Sequence, residues 1–458
     1  MIGMMVLSFL AGCGVFTALR PRAEALSLLP IAAGAGIGIG MLSCFYFVYI
    51  SAAGSAGSNY LIVDAIFCAA CAMIGSRIAR WRTVPAIDAA QATSSSPLRK
   101  VLHIVLAINV CGALGALITQ SLMYPYGNWD AMAIWNNHAR VLFRSGEFWN
   151  ENYSELPMWT HGNYPLLLPA FVSRCWEFSK VDSPGGPALV AATFTLGTAA
   201  LLYSFLKRLV DASSAALAAA ILLGFWTFTW LGAAQYGDIP VAYFELGALG
   251  MLCLAETSGS RSTLVLAGMF AGFAAWTKND ALPFICGMIV IHALVSWRLH
   301  SFGEALTRAS ILLLGALPGL AALIYFKVTV APPNWIMAEQ RGIPWDKLSD
   351  LSRHAAIAKA FAASLLRVAP AVTPPVLLLA YAILAGVRMP ERCRAAAITA
   401  LLTLPFMLAV FYAVYLITPT PLEWQLEHSL DRVLMQLLPS CLLVLFLFTR
   451  PLEAQPQP

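Results

Sequence analysis

"YPLLLPAFVSRCWEF", residues 164 to 178, decides how this chain is threaded. The stretch is apolar enough to suggest a membrane crossing, yet it is short, opens on a proline step and carries Arg174 and Glu177. Were it a crossing, every later loop would change sides. Charge settles the choice. Laid flat on one surface as an amphipathic helix, the stretch leaves 16 of the 28 Lys and Arg residues on one side, among them the clusters after positions 206, 297 and 387. A crossing would turn those clusters outward, against the rule that basic loops stay cytoplasmic. The stretch is therefore expected to lie on the outer face.

Outward from it, the chain is 458 residues long, 59% hydrophobic and 11% charged, with mean hydropathy +0.74. Soluble domains carry about 25% charged residues, so the solvent here is hydrocarbon. Apolar runs long enough to cross a bilayer are expected at about 2–19, 27–50, 60–76, 101–122, 187–206, 212–232, 239–256, 264–276, 281–297, 309–330, 369–387, 395–416 and 432–449. The fold class is all-α, a polytopic membrane bundle of about 13 spans with juxtamembrane helices on its outer face. Its N-terminus is expected outside, as a retained span, and its C-terminus inside. The organisation is a three-span region 1–100 of no assigned role, a core 101–450 with outer loops 123–186 and 331–368, and a cytoplasmic tail 451–458. The stretch 349–367 reads as another flat helix, and 83–98 as a loose inner linker.

Net charge +5 is a topology signal and gives no ground for nucleic-acid binding. The ten cysteines, nearly all within apolar runs, read as small buried hydrophobes. "GAGIGIG" (34–40) lies inside a span, so Gly36 and Gly40 read as a packing face rather than a phosphate loop. Asp64 and Glu245 are the two plainly intramembrane acids. For Asp64, pairing within the bundle is weighed against binding an ion or a proton.

Other ionisable residues gather at one expected membrane face: Asp130, His161, Asp238, Lys278, Asp280, Arg341, Glu423, Glu427, His428, Asp431 and Arg432. A transporter should place polar groups near the midplane, so this asymmetry favours one outer-face site. In "GNWDAMAIWNNHAR" (127–140), Asp130 stands between Trp129 and Trp135, placed to take a proton from an acceptor hydroxyl. An interfacial acid that merely faces water fits the composition equally. Arg432 begins the last span, where a guanidinium can snorkel to phosphate depth; pairing with Asp431 or Glu427 is its alternative.

Five motifs taken together resemble the GT-C class of membrane glycosyltransferases, especially bacterial relatives of the family 39 protein O-mannosyltransferases and the aminoarabinose transferases. They are "WDAMAIWNNHARVLF" (129–143), "HGNYPLLLP" (161–169), "YGDIPVAYF" (236–244), "AAWTKNDAL" (274–282) and "EWQLEHSLDRVLMQLLP" (423–439). The resemblance spans about 101–449. It implies an enzyme that moves a sugar from a polyprenyl-phosphate carrier to a glycan, lipid or protein acceptor outside the cytoplasmic membrane. It implies that Asp130 is the general base, that Asp238 helps shape the site or, as in some members, binds a divalent metal, and that Lys278 meets the lipid phosphate. His161, Asn163 and Tyr164 match the histidine/proline stretch before the outer-surface helix; Trp129, Asp280, Glu427 and Arg432 complete the expected substrate-binding set. The second acid frequent beside the base is absent here, where Asn128 precedes Trp129, so a divalent metal is left open and no other cofactor is implied. The partners are then the lipid-linked donor, the acceptor and membrane lipids, with no nucleic acid. The alternative is a transporter or flippase of a lipid-linked saccharide.

Overall fold

In the computed structural model the described residues are 2–20, 27–57, 59–81, 96–333, 344–367 and 375–453. Among them there are 19 α-helices and no strand, only an isolated bridge between Val387 and Thr449. The helices are α1 (Ile2–Leu19), α2 (Leu28–Ala53), α3 (Tyr60–Trp81), α4 (Pro97–Met123), α5 (Asn136–Arg144), α6 (Trp149–Ser154), α7 (Leu167–Ser179), α8 (Gly185–Leu209), α9 (Ala212–Gly224) and α10 (Trp226–Ala233). There follow α11 (Asp238–Ser258), α12 (Arg261–Thr277), α13 (Ala281–Leu299), α14 (Phe302–Thr329), α15 (Trp345–Ser349), α16 (Leu351–Arg367), α17 (Pro375–Ala385), α18 (Arg394–Ile417) and α19 (Leu422–Phe448).

Among the described residues ten helices are long and apolar enough to cross a membrane, or eleven spans if α9 and α10, bent by 65° at Phe225, count as one broken span. Of the thirteen expected runs, the one at 264–276 falls just short in length, as α12 has 17 residues, and the one at 369–387 is described only from Pro375, as α17. At the α9–α10 break the Thr229 hydroxyl donates to Leu223 O at 3.2 Å, supplying a bond that the interrupted helix lacks. The linker 83–98 falls mostly outside the described residues, as do Arg341 and the middle of 331–348.

Close backbone approach holds neighbouring spans together. A Cβ on Gly12 of α1 would lie 1.9 Å from Gly34 O of α2, and one on Gly272 of α12 would lie 2.5 Å from Ala316 O of α14. Gly36 and Gly40 do pack, but against the rings of Tyr243 and Phe273; Gly34 and Gly38 make the helix–helix seam. By these contacts α2 is built into the core that surrounds α11, whose residues are buried along almost its whole length.

Most of residues 164–178 fall in α7, whose 13 residues are too few to span. It differs from a flat amphipathic helix in its burial: every residue from Leu167 to Glu177 is buried. The reason is Arg174, which reaches Asp64 of α3 through two bonds of 2.7 Å each and Ser8 of α1 at 2.9 Å. Tyr60 also donates to Asp64 at 2.9 Å. Asp64 therefore pairs within the bundle, and α7 is pinned into it.

Helix starts divide the two ends of the bundle. At one end, Ser96, Asp211, Ser260 and Ser301 cap α4, α9, α12 and α14, each side chain accepting a backbone N–H. Glu256 likewise accepts from Ala395 N and Ala396 N at the start of α18. Such bonds satisfy donors that a helix start leaves orphaned. At the other end Asp130, Asp238 and Asp280 stand at helix starts and none makes a cap bond.

Candidate functional site

Those three uncapping aspartates converge and mark the candidate site. Asp238, first residue of α11 and wholly buried, is its hub. Its Oδ1 accepts from Lys278 Nζ at 2.9 Å and Gln436 Nε2 at 2.7 Å, while its Oδ2 accepts from Arg432 Nε at 3.3 Å and Nη2 at 3.0 Å. Each cation then holds a second acid. Arg432 Nη2 donates to Asp130 Oδ2 at 2.6 Å, and Lys278 Nζ lies 2.7 Å from Asp280 Oδ2. Exposure rises outward, from 0% for the Asp238 side chain to 18% for Asp130 and 34% for Asp280. The cluster is a charged floor whose open side carries two reachable carboxylates.

Local backbone chemistry sets this arrangement. Gly127 adopts φ 74°, turning the chain as it leaves α4. Asn128 N then bonds Ala234 O at 3.2 Å, and Asn136 Nδ2 reaches Gln235 Oε1 at 2.9 Å. These bonds clasp segment 125–136 to the turn that precedes Asp238. Residues Ala131–Trp135 form one π-helical turn, a bulge that re-aims side chains and is frequent at functional sites. Trp135 is buried against Gly237, where a Cβ would lie 2.5 Å from the indole. An aromatic stack continues outward, Trp135 to Tyr164 at 5.7 Å and Tyr164 to His161 at 4.9 Å between ring centroids. His161 sits at a left-handed φ of 52°.

Electrostatics follow from burial and from these pairs. Burial alone would make the Lys278 ammonium easier to deprotonate, but Asp238 and Asp280 overturn that and hold it above the ordinary lysine range. Burial lowers His161, with Lys278 and Arg432 adding to the effect and Asp130 opposing it. Burial also pushes the Tyr164 phenol up to about 12. Lysine is thus charged, while histidine and tyrosine are neutral, across the physiological range.

Of the expected site residues, Asp130, Asp238, Lys278, Asp280 and Arg432 converge, and His161 and Tyr164 stand beside them. Asn163 is buried close by, its carbonyl accepting from Lys327, which also reaches Asn279 Oδ1 at 2.8 Å. Trp129 is exposed next to Asp130, and Glu427 is exposed with no ion pair to Arg432. Arg432 pairs with the site acids instead of Asp431 or Glu427. Gln436, Tyr236 and Lys327 went unnoticed in the sequence. The Arg432 guanidinium lies 4.6 Å from the Tyr236 ring centroid. Gln436 had a signal: it is a lone amide one helical turn past Arg432 in an apolar run.

A metal does not suit this set. Both oxygens of Asp238 and one of Asp130 already accept from cations or an amide, and among the described residues no three His, Cys, Asp or Glu gather as a metal site requires.

Residues 182–330, from just before α8 to the end of α14, match the dolichyl-phosphate-mannose-protein mannosyltransferase family model. The likeness is to a membrane glycosyltransferase family. No curated protein and no solved structure matches the chain. The mannosyltransferase-like stretch contains Asp238, Lys278 and Asp280, while Asp130 precedes it and Arg432 follows it. The ion pairs join both flanking segments to the matched helices.

Proposed function

We propose that this protein transfers a sugar from a polyprenyl-phosphate carrier to an acceptor hydroxyl, at the outer face of the cytoplasmic membrane. One observation carries the reading: Asp130, from outside the matched stretch, stands on the same cationic fork that Asp238 builds from Lys278 and Arg432. Glycosyl transfer needs a base for the acceptor and fixed positive charge for the departing phosphate. The fork supplies both within one ion-pair network.

Asp130 accepts the proton of the acceptor O–H as that oxygen bonds the sugar's anomeric carbon. The bond from that carbon to the phosphate oxygen breaks, and its electron pair leaves with the phosphate. Charge that grows on the phosphate is met by Arg432 and Lys278, which buried Asp238 holds in place before substrate arrives. Displacement from the face opposite the leaving group inverts the anomeric configuration.

The test is purified protein in detergent or liposomes, given lipid-linked sugar and acceptor. Asp130→Asn keeps shape and loses basicity, so turnover should fall by about 10²–10⁴-fold while the protein folds and inserts. Near-normal turnover would return Asp130 to the role of an interfacial acid. Carrier translocation without sugar transfer would replace this reading by a transporter. Cysteine labelling tests the sidedness: residues 83–98 should label from the cytoplasm and 331–348 from outside, and the reverse would move the site to the inner face.

A further inference from the structure

Two cations and three carboxylates meet at the site, Lys278 and Arg432 against Asp130, Asp238 and Asp280. The set already carries one excess negative charge, so a phosphate added to it would meet acids as well as cations. Something must step aside. Asp238 is the least able to do so, since it accepts four hydrogen bonds and is enclosed. Asp280 occupies the start of α13, its backbone continuous with a long span. Asp130 and Asp280 are each held by one ion pair, of 2.6 Å and 2.7 Å, and both are partly exposed; what sets Asp130 apart is that it heads a π-turn and that its cation is Arg432. Its partner Arg432 presents a planar fork that suits phosphate as well as carboxylate.

We propose that Asp130 holds the place of the carrier's phosphate on Arg432, so that the arriving phosphate displaces the carboxylate and thereby frees it to act as base. The inference rests on the glycosyltransferase reading above and adds an order of events to it. Without donor, Asp130 is tied to a guanidinium, which weakens it as a proton acceptor. With donor bound, Arg432 turns to the phosphate, and Asp130 faces the acceptor with its negative charge uncompensated. The sugar-free phosphate product carries more charge than the donor and competes harder for Arg432. Its release is then assisted when Asp130, having passed its proton to water, reclaims the guanidinium.

Competition for one cation makes an unusual prediction: removing the base's charge should improve phosphate binding. The measurement is equilibrium binding of a sugar-free polyprenyl monophosphate to the purified full chain, read by tryptophan fluorescence or thermophoresis. Asp130→Asn should bind it about tenfold more tightly than the unaltered protein, the scale of one charge-assisted contact no longer competed for. Asp130→Glu, which restores the charge, should return binding toward the starting value. Arg432→Gln should bind about tenfold more weakly. Uncharged polyprenol should show no difference among these variants.

Equal or weaker binding by folded Asp130→Asn would overturn the inference and leave the glycosyltransferase reading standing, provided the unaltered protein binds. Tightening by Asp280→Asn alone would overturn it too, because the phosphate would then displace the other acid. A difference that persists with polyprenol would assign the effect to the lipid tail and overturn the exchange. Failure of the unaltered protein to bind polyprenyl monophosphate would remove both readings together.

Discussion

Two clusters in this molecule each centre on an aspartate that no water reaches, and they differ in what surrounds that aspartate. At Asp64, one guanidinium meets one carboxylate edge to edge, both side chains are 0% exposed, and Tyr60 and Ser8 occupy remaining positions. The pair is saturated and sealed. At Asp238, two cations are shared with two further acids, and exposure increases away from the hub. A sealed pair in a membrane bundle fixes one helix, here α7, against others. A shared cluster open on one side has partners to exchange, and exchange is what ligand binding and proton transfer require.

Removing one partner from the sealed pair should have the largest effect on folding. Arg174→Ala strands the Asp64 carboxylate, at about 3–5 kcal/mol for a broken buried pair. Folded yield and melting temperature in detergent should fall steeply, and donor affinity in the surviving fraction should not change. Preserved stability would show that α7 is not pinned by this pair.

The matching change at the hub should behave otherwise. Asp238→Asn leaves Lys278 with Asp280 and Arg432 with Asp130, so the folding cost should be smaller than for Arg174→Ala while transfer activity is lost. A melting temperature lowered as far as by Arg174→Ala would erase the distinction between the clusters.

Smaller again is the loss of one cation. Lys278→Ala should weaken use of the lipid donor by about 1.5–3 kcal/mol, the worth of one charge-assisted hydrogen bond. Lys278→Arg should retain part of it. An unchanged KM for the donor in the Ala variant would remove Lys278 from the phosphate's surroundings.

The mildest test uses pH. His138, fully buried beside Tyr153 at 3.1 Å, is held neutral because burial lowers its pKa to about 3 from an unperturbed 6.5. The unfolded chain therefore takes up a proton that the folded one refuses. The stability this group contributes is complete above pH 6.5 and is lost as pH falls toward 3. At pH 5 the loss should be about 2 kcal/mol, seen as a lower melting temperature than at pH 7. His138→Gln should flatten that slope, and an unchanged slope would assign the acid sensitivity to other groups. His161, also lowered by burial, adds to the trend with the same sign.

Much of this was legible in the sequence. Composition and the length of apolar runs determined a polytopic helical bundle, because a hydrocarbon solvent forces every backbone donor into a helix. The basic clusters after positions 206, 297 and 387 argued against a fourteenth crossing by residues 164–178, and the short α7 agrees. Spacing placed Asp130, Asp238, Lys278, Asp280 and Arg432 near one end of the bundle, since each lies at or close to a span boundary. What spacing could not show is which charge meets which. Asp130 and Arg432 are 302 residues apart, and their contact exists because α4 delivers Asp130 to the N-terminal part of α19. Arg174 read as a reason for α7 to stay on a surface, and became the reason it is buried once Asp64 stood opposite. A sequence gives each helix its solvent and its ends; the partner of a buried charge is set by packing, because only packing decides which opposite charge arrives within hydrogen-bond reach.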